Sequence, residues 1–382
     1  MNSESPRFAM IAGEASGDLL AGSLLASLRE RWPDLAAEGI GGPRMAEQGF
    51  VAWWPHHKLS LHGYAEVLGH LRELFSIRSR LLERLLADKP DAFVGIDAPD
   101  FNLEVERRLK AAGIKTVHFV SPSIWAWRGG RIDKIGRATD LVLCIFPFEP
   151  AIYAARHINA VYVGHPLASA IPFAVPRDQS RAALGIGAAE TLVALLPGSR
   201  RAEIRYIAPR LFAAAVEMSR LRPGLRFAVP VASGLREAVE ALRREHAPDA
   251  PITLLDGRAH EVLAACDVVV VASGTATLEA ALFKRPMVVV YVMHLLNWWL
   301  GKLLSYQPWV ALPNILLRDF AVPELLQKHA TPAAIAAATF KWLDDPAAVA
   351  ALTLRFEGIH RELKRDTGGL ATAAIEAVLA TR

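Results

Sequence analysis

The sequence predicts an α/β protein built from two doubly wound, parallel-sheet domains that face each other. The chain has 382 residues, and two domains are expected at roughly 100 to 200 residues per domain. Hydrophobic residues make up 52% of the chain and charged residues 21%, which excludes a disordered protein because that class lacks apolar surface. Short apolar runs alternate with longer helical patterns, as in βαβ units around a parallel sheet.

The predicted strands fall into two series along the chain, one for each sheet. The first series comprises Phe8 to Ala12, Ala92 to Ile96, Thr116 to Val120, Leu141 to Phe146 and Val161 to Val163. The second comprises Leu192 to Leu196, Arg226 to Val231, Ile252 to Leu255, Val268 to Ala272 and Met287 to Val292.

A proline-rich stretch separates the two series. In the segment from Gly164 to Gly187, Pro166, Pro172 and Pro176 disfavour a continuous helix or a central strand. We therefore predict a linker here, between an N-terminal domain over residues 1–168 and a C-terminal domain over residues 188–345. Helices are expected over residues 346–382, and packing back on the N-terminal domain is one arrangement for them.

Cysteine content and hydropathy bear on location. Cys144 and Cys266 are too few for a disulfide framework or a four-ligand zinc site, which favours a reducing cytosol. The first residues show no basic region followed by an apolar one, so a cleaved export signal is not expected. The apolar stretch from Met287 to Tyr306 has interior polar residues, and we predict a buried strand followed by an amphipathic helix, not a membrane span.

The residues that follow each strand are the candidates for a site, because ligands of open α/β sheets bind beyond the carboxyl ends of the strands. The first strand is followed by Gly13 to Asp18. Its glycines permit a tight turn, and Ser16 or Asp18 can cap the next helix. We expect a phosphate or sugar hydroxyl there, with an ordinary strand-to-helix turn as the alternative. A nucleotide redox cofactor gains no support, because Arg44 stands where G-x-G-x-x-G needs its third glycine.

Asp97 is the candidate general base. It directly follows the strand Ala92 to Ile96, and a carboxylate beside an apolar wall can have its proton affinity raised toward working pH. Asp100 is expected to cap the following helix. A structural aspartate at a strand-to-helix turn is the alternative interpretation of Asp97.

Two turns in the C-terminal half predict an anion site. The run Leu195 to Glu203 ends a strand and opens a helix, whose free N–H groups favour an anion, and Arg200 or Arg201 can bind a diphosphate. The run Ala272 to Glu279 has small residues that admit a ligand, and Glu279 can accept hydrogen bonds from ribose hydroxyls. A solvated basic helix start, and a first-turn charge at Glu279, are the alternatives.

Other catalytic signatures are missing from the sequence. It has no D-x-D triplet, H-E-x-x-H motif or Cys/His cluster, so no metal or other cofactor is expected. It also lacks a G-x-S-x-G elbow and a G-x-x-x-x-G-K-[ST] loop, which disfavours hydrolase and ATPase functions.

Basic and apolar surfaces suggest partners. Residues 107–137 contain eight Lys or Arg residues against one acidic residue, Asp133, although the whole chain has a net charge of only +4. A cluster of this kind can meet nucleic acid, a phosphorylated substrate or an anionic lipid surface, with solvated helix faces as the alternative. Of these partners, nucleic acid is not the one we expect. A helix from about Tyr64 to Leu86 has the spacing of a core helix, and its arginines also suit a membrane surface. His118 and His165 are expected to serve packing or hydrogen bonding.

Six motifs in this order resemble those of the lipid-A-disaccharide synthase family. They are Gly13 to Asp18, Gly95 to Asn102, Ser121 to Arg128, Leu196 to Arg200, Ser273 to Glu279 and Leu312 to Asn314. The resemblance implies a GT-B fold, with two Rossmann-like domains and an interdomain cleft. It implies an inverting, metal-independent glycosyltransferase on the cytoplasmic face of the inner membrane. The substrates would be UDP-2,3-diacylglucosamine and 2,3-diacylglucosamine 1-phosphate, and the products a β(1→6)-linked disaccharide 1-phosphate and UDP.

The same resemblance implies roles for individual residues. Asp97 would be the base or an essential acceptor-site carboxylate, and Glu14, Ser16 and Gly17 would line the cleft. The UDP side would comprise Ser199, Arg200, Ser273, Gly274, Thr275, Glu279 and Asn314. Ser169 departs from the pattern, which has an acidic residue there, so a hinge or acceptor role for that acid is in doubt.

Two other functions remain open from the sequence. A UDP-N-acetylglucosamine 2-epimerase shares the two-domain architecture and would explain the nucleotide features without lipid. A nonenzymatic sugar-binding protein is the other alternative. The acyl chains of the expected substrates need apolar surface, which the helix from Tyr64 to Leu86 or the segment from Leu295 to Leu304 could supply.

Overall fold

The computed structural model describes residues 5–55, 59, 67–126, 129–294, 298 and 307–381. The chain forms two compact units. The first consists of Met1–Pro166 together with Leu363–Arg382, and the second of Leu167–Glu362. The roles assigned to the two predicted domains stay predictions.

The first unit contains a parallel sheet of seven strands. These are β1 (Arg7–Ala12), β2 (Ala36–Gly41), β3 (Val51–Pro55), β4 (Ala92–Ile96), β5 (Lys115–Phe119), β6 (Leu141–Cys144) and β7 (Ala160–Tyr162). Their order in the sheet is β3-β2-β1-β4-β5-β6-β7. All five predicted strands of the first series are confirmed to within two residues. Strand β5 ends before Val120, which the prediction included, because Val120 has a left-handed backbone with φ 76°.

Strands β2 and β3 were not predicted. Strand β2 contains a glutamate and two glycines instead of an apolar run, and β3 lies at the sheet edge with no buried residue. Gly39 explains how β2 enters the sheet. Its φ is 140°, and a Cβ there would lie 2.3 Å from the Met10 carbonyl oxygen on β1, so only glycine permits this approach.

Among the described residues, six α-helices lie between successive strands of the first sheet along the chain. They are α1 (Ala15–Arg31), α2 (Pro43–Ala46), α3 (Val67–Asp88), α4 (Pro99–Ala111), α5 (Ile132–Ala138) and α6 (Glu149–Ala154). Helix α3 confirms the helix predicted over Tyr64 to Leu86, although residues 64–66 lie outside the described part of the chain. One face of α3 packs in the core through Ile77, Leu81, Leu82 and Leu85.

The second unit contains a parallel sheet of six strands. These are β8 (Leu192–Leu196), β9 (Arg226–Val231), β10 (Ile252–Asp256), β11 (Val268–Ala272), β12 (Met287–Tyr291) and β13 (Glu324–Leu326). Their order is β10-β9-β8-β11-β12-β13. The five predicted strands of the second series are confirmed. The sixth, β13, has three half-buried residues and no apolar run that would predict it.

The remaining helices follow in chain order. They are α7 (Pro166–Ala170), α8 (Arg177–Ala183), α9 (Arg201–Leu221), α10 (Arg236–His246), α11 (Ala259–Ala265), α12 (Thr275–Leu282), α13 (Leu312–Leu317), α14 (Pro332–Asp344), α15 (Pro346–Leu363) and α16 (Thr367–Ala380). The predicted linker contains α7 and α8. Pro172 and Pro176 lie between these two helices, where a continuous helix was not expected.

The last helix, α16, packs against α1 of the first unit. Arg31 on α1 forms an ion pair with Glu376 on α16 at 2.5 Å. A Cβ at Gly368 would lie 1.9 Å from the Ser27 hydroxyl oxygen, so glycine permits this close approach of the two helices. Helix α15, by contrast, belongs to the second unit as far as Glu362.

The apolar stretch from Met287 to Tyr306 begins with strand β12, as predicted. The helix predicted after it, and with it the segment from Leu295 to Leu304, lies outside the described residues except for position 298. Within the described ranges, no helix combines the length and the hydropathy needed to cross a bilayer.

Candidate active site

The carboxyl edge of the first sheet brings the predicted acceptor-side residues together. Strands β1 and β4 are neighbours, with Ala12 opposite Ile96, so the turns that follow them meet. A Cβ at Gly13 would lie 3.3 Å from the Ala98 Cβ, and one at Gly17 would lie 3.7 Å from Ile96 Cγ2. The turn that carries Glu14 and Ser16 therefore lies beside the turn that carries Asp97.

The start of α1 leaves polar side chains in solvent. Glu14 is the N-cap residue with an extended backbone and no side-chain cap, and both Glu14 and Ser16 are exposed while Gly17 is buried. The prediction that Ser16 or Asp18 caps α1 is wrong. The buried Asp18 carboxylate accepts hydrogen bonds from the N–H groups of Gly42 at 2.8 Å and Arg44 at 2.9 Å, because these free groups at the start of α2 face it.

Asp97 lies half-buried on a strained turn. Its φ is 52° and that of Ala98 is 41°, a left-handed pair that non-glycine residues adopt at a cost. The Asn102 side chain holds this turn by donating from Nδ2 to the Asp97 carbonyl oxygen at 2.8 Å and to the Ile96 carbonyl oxygen at 3.3 Å. The turn thus sets the position of the Asp97 carboxylate.

The sequence predicted that Asp100 caps helix α4, and this prediction is wrong. The N-cap position belongs to Ala98, two residues earlier, and Pro99 begins the helix. The exposed Asp100 carboxylate pairs with Arg131 at 2.6 Å instead.

A buried carboxylate anchors the loop after β5. Glu149 accepts hydrogen bonds from the Trp125 indole N–H at 3.0 Å and from the backbone N–H groups of Ile145 at 3.1 Å and Phe146 at 2.9 Å. Burial raises the pKa of Glu149 to about 7. The second tryptophan of this motif, Trp127, lies outside the described residues.

Carboxylates near the basic cluster neutralise much of its charge. Glu104 binds Arg107 at 2.8 Å and Arg108 at 2.9 Å, and these guanidinium groups lower the pKa of Glu104 to about 2. Lys110 pairs with Asp140 at 3.3 Å. A groove of about 300 Å³ remains between α4 and α5. Its charged lining comprises Arg107, Arg131, Lys134, Arg137, Asp100 and Glu104.

In the second unit, the carboxyl edge of the sheet brings together the two turns predicted to bind an anion. Strands β8 and β11 are neighbours, with Leu196 opposite Val271. After β8, Gly198 has φ 111° and Ser199 and Arg200 open helix α9. The Arg200 side chain is 80% exposed.

A carboxylate of α9 itself already binds the two amide groups that directly precede this helix. The Glu203 carboxylate accepts hydrogen bonds from the backbone N–H groups of Ser199 at 3.0 Å and Arg200 at 3.3 Å. Sequence reasoning missed this role of Glu203. Its spacing three residues after the N-cap position Arg200 is the signal that could have found it, because that is the capping-box arrangement.

The turn after β11 exposes a second helix start. Gly274 is the N-cap residue of α12 with φ 141°, and Gly274 and Thr275 are exposed. The Ser273 hydroxyl donates to the Val310 carbonyl oxygen at 2.7 Å. Glu279 lies 3.5 Å from His260 Nε2 and raises the pKa of that imidazole, a partner that the sequence did not suggest.

Asn314 is buried in the scaffold beside this turn. Its Nδ2 donates to the Val322 carbonyl oxygen and to a Glu324 carboxylate oxygen, both at 2.9 Å, and its Oδ1 accepts from the Val322 N–H at 2.9 Å. Glu324 in turn accepts from the Ala311 N–H at 2.9 Å. Asn314, together with Glu324, therefore fixes the loop before α13.

Comparison with known proteins identifies the family. The family model described as lipid-A-disaccharide synthetase (LpxB) matches residues 8–374. The lipid-A-disaccharide synthase of Albidiferax ferrireducens is 54% identical over 382 residues, which cover 99% of this chain and 98% of that protein. The chain belongs to the lipid-A-disaccharide synthase family. It is accordingly a glycosyltransferase, and the alternative of a nonenzymatic sugar-binding protein falls away.

Solved structures share the fold of this synthase-family chain at low sequence identity. A UDP-GlcNAc 2-epimerase from Neisseria meningitidis bound to UDP-GlcNAc has a TM-score of 0.64 and 10% identity, and the match covers 98% of this chain and all (100%) of that chain. MurG from Acinetobacter baumannii has a TM-score of 0.58 and 14% identity, with coverage of 97% and 99%. These likenesses confirm the predicted GT-B fold. The likeness to an epimerase is one of fold alone.

The predicted site of this synthase-family chain forms two groups, one in each unit. Glu14, Ser16, Gly17 and Asp97 meet at the edge of the first sheet, and the predicted UDP-side residues gather at the edge of the second, with Asn314 beneath it. Their roles in binding and catalysis stay predictions. Among the described residues, no group of three or more His, Cys, Asp or Glu side chains is arranged to hold a metal ion.

Proposed function

We propose that the chain transfers 2,3-diacylglucosamine from UDP-2,3-diacylglucosamine to the 6-hydroxyl of 2,3-diacylglucosamine 1-phosphate. The products are the β(1→6)-linked disaccharide 1-phosphate and UDP. Family membership supports this choice of substrates. The geometric observation that carries the transfer is the half-buried Asp97 carboxylate, held on a left-handed turn at the carboxyl edge of the first sheet.

The reaction is a single displacement with inversion. The acceptor O6 attacks the anomeric carbon, so that the O6–C1 bond forms while the bond from C1 to the diphosphate oxygen breaks. The hydroxyl proton moves to Asp97, and the electron pair of the broken bond leaves with UDP. Glu14 and Ser16, exposed beside the Asp97 turn, orient the acceptor sugar through its hydroxyls.

The second unit binds the UDP part of the donor. The exposed Arg200 side chain and the helix start at Gly274 stabilise the negative charge that grows on the leaving diphosphate. Ser273 and Thr275 lie at the same helix start, and Glu279 accepts hydrogen bonds from the ribose hydroxyls. Asn314 supports this side from within the scaffold.

A purified-protein assay with both acylated sugars in detergent tests the proposal. Mass spectrometry should detect the disaccharide 1-phosphate and UDP, with and without a chelator. Asp97→Asn should abolish turnover while calorimetry shows unchanged UDP binding, and Asp34→Asn, at an exposed turn position, should behave like wild type. Near-normal turnover of Asp97→Asn removes Asp97 from the mechanism. Epimerisation of UDP-N-acetylglucosamine without any disaccharide would favour the epimerase function instead.

We also propose that the first unit associates peripherally with an anionic membrane surface, at the cytoplasmic face of the inner membrane. The Phe75 side chain on α3 is 55% exposed, and the Arg78 guanidinium lies 4.9 Å from the centre of its ring. An exposed aromatic ring beside a cation suits the interface between lipid and water. The basic groove between α4 and α5 adds charge that attracts acidic headgroups.

Vesicle sedimentation tests the membrane proposal. Binding should be stronger to vesicles with phosphatidylglycerol than to pure phosphatidylcholine, and salt should weaken it. Phe75→Ser should reduce binding. Leu354→Ser changes an apolar residue of the second unit that is 67% exposed and should leave binding unchanged. Equal binding of wild type and Phe75→Ser would refute the role assigned to α3.

A further inference from the structure

Three buried polar side chains lie behind the Asp97 turn and have no part in the mechanism above. Asn102 and Glu106 are one turn apart on α4, and His118 lies on β5. All three are fully buried. Polar groups of this kind are costly inside a protein unless they are paired or serve a function.

The backbone makes room for this group. Gly95 on β4 lies directly opposite His118 on β5. A Cβ at Gly95 would lie 2.2 Å from Glu106 Oε1 and 3.0 Å from Asn102 Cβ. Any larger residue would therefore displace the Glu106 carboxyl group, which occupies the space beside the strand that leads into Asp97.

Glu106 and His118 form a tight pair. His118 Nδ1 lies 2.7 Å from Glu106 Oε1, with both side chains shielded from solvent. Among the described residues, Asn102 Oδ1, Glu106 Oε2 and His118 Nε2 are buried without a hydrogen-bond partner. Each such atom costs about 1 to 3 kcal/mol, so their occurrence together calls for a functional reason.

Burial decides where the proton of this pair resides. An ionised Glu106 beside a neutral His118 would leave an uncompensated negative charge in the interior, which is the most costly state. His118 Nε2 carries a hydrogen when imidazolium pairs with carboxylate, and also when Nδ1 of a neutral imidazole accepts from the Glu106 carboxylic acid. Burial alone would lower the pKa of His118, but the carboxylates of Glu106 and Asp97 together outweigh it and raise that pKa. The neighbour of His118 on β6 is the uncharged Val142.

We propose that Asn102, Glu106 and His118 are positioning residues for Asp97. Asn102 holds the backbone of the left-handed turn, and Glu106 keeps Nε2 of His118 protonated so that the positive end of the pair acts on the Asp97 carboxylate. The proposal rests on the function proposed above for Asp97. It explains why Gly95, Asn102 and Glu106 occur together around one strained turn.

Two isosteric variants test the pair. In Glu106→Gln the amide keeps the volume of the carboxyl group and accepts a hydrogen bond from Nδ1–H, which leaves Nε2 without its hydrogen. We expect kcat to fall about 10- to 100-fold, the usual cost of losing a group that orients another, with KM unchanged for both substrates. The acid limb of the kcat–pH profile should move to higher pH, because a positive partner of a carboxylate favours its ionised form. His118→Gln should have the same effects.

Matched controls separate this role from a structural one. Glu30→Gln, at an exposed position of α1, should leave kcat and the pH profile unchanged. Unchanged kcat in folded Glu106→Gln, or a lower kcat with an unmoved acid limb, would overturn the proposal. Nitrogen-15 NMR of labelled histidine in the wild type checks the pair without a variant, and a His118 Nε2 without hydrogen at pH 7 would also overturn it.

Asp97→Asn distinguishes the two proposals. Wild-type turnover of Asp97→Asn refutes the role of Asp97 as base, and with it the positioning role, while the transfer reaction stands. A wild-type enzyme that forms no disaccharide refutes the proposed function itself. Loss of turnover in Asp97→Asn together with normal turnover in Glu106→Gln refutes only the positioning role.

Discussion

Two buried groups near the carboxyl end of β6 should make the stability of the first unit depend on pH in opposite directions. Burial raises the pKa of Glu149 from 4.5 to about 7. Burial lowers the pKa of His165 from 6.5 to about 4. At roughly 1.4 kcal/mol per unit of pKa shift, each of these two shifts is equivalent to about 3 kcal/mol of folding free energy.

The signs follow from where each proton is bound. As pH rises from 4.5 to about 7, Glu149 ionises in the unfolded chain but stays protonated in the fold, so the fold is destabilised. As pH falls from 6.5 to about 4, unfolded His165 gains a proton that the folded imidazole does not take up, and the fold is destabilised again. The two slopes oppose each other between the unfolded pKa values of 4.5 and 6.5, so the contribution of this pair should be nearly flat there.

Single variants should separate the two opposing dependences of the free energy of unfolding on pH. In Glu149→Gln only the His165 slope remains, and the free energy of unfolding should rise by about 3 kcal/mol as pH increases across the His165 range. In His165→Gln only the Glu149 slope remains, and the free energy should fall by about the same amount as pH increases. Glu149→Gln also loses hydrogen bonds to Trp125 and the backbone, so the slope and not the absolute stability is the measured quantity.

Urea titrations at half-unit pH intervals measure these slopes. Hydrogen exchange of the peptide over residues 141–165 reports on the first unit alone. Glu30→Gln, which changes an exposed carboxylate, should run parallel to the wild type. If both variants keep the wild-type pH dependence, burial does not keep Glu149 and His165 uncharged in the folded state. That result would refute the pKa shifts assigned to the two groups.

Three further substitutions probe individual contacts. Gly95→Ala places a Cβ 2.2 Å from a Glu106 oxygen, so urea titration should show a free energy of unfolding lower by about 1 to 3 kcal/mol. The control is Gly358→Ala, where a Cβ would meet open space and the free energy of unfolding should not fall. Glu203→Gln removes a charge bound to two amides of the anion site, so calorimetry should show UDP affinity about 5-fold higher, near 1 kcal/mol, and weaker binding would contradict this. Asn314→Ala loses three hydrogen bonds and should lower the free energy of unfolding, measured by urea titration, by about 3 kcal/mol. Wild-type stability of this variant would disprove the scaffold role.

The strands that the sequence predicted well are those buried on both faces. Leu192–Leu196 and Val268–Ala272 are fully buried, and parallel strands covered by helices are continuous apolar runs. Strand β2 was not predicted, because glycine and glutamate interrupt its run of apolar residues. Its place in the sheet depends on the close approach of Gly39 to Met10, which is a contact between distant parts of the chain.

The candidate site residues were selected from their place after a predicted strand, and not from the groups that they contact. Asp97 and Arg200 follow apolar runs, so the rule that ligands bind beyond strand ends was sufficient to select them. Glu203, His260 and Glu324 could not be selected in this way. The partners of Glu203 are local, and only its capping-box spacing indicates them. His260 and Glu324 bind groups that only folding brings near.

By itself the sequence determined the two parallel sheets, most of their strands and the turns at their carboxyl ends, because burial and turn geometry depend on residues close together in the chain. Only the tertiary structure decided which polar groups meet: that Asp18 caps α2, that Asn314 is a scaffold residue, and that Glu106 pairs with His118 behind Asp97. Those pairings depend on interatomic distances of a few ångströms between different elements of the fold, and no pattern within a single helix or strand encodes such distances.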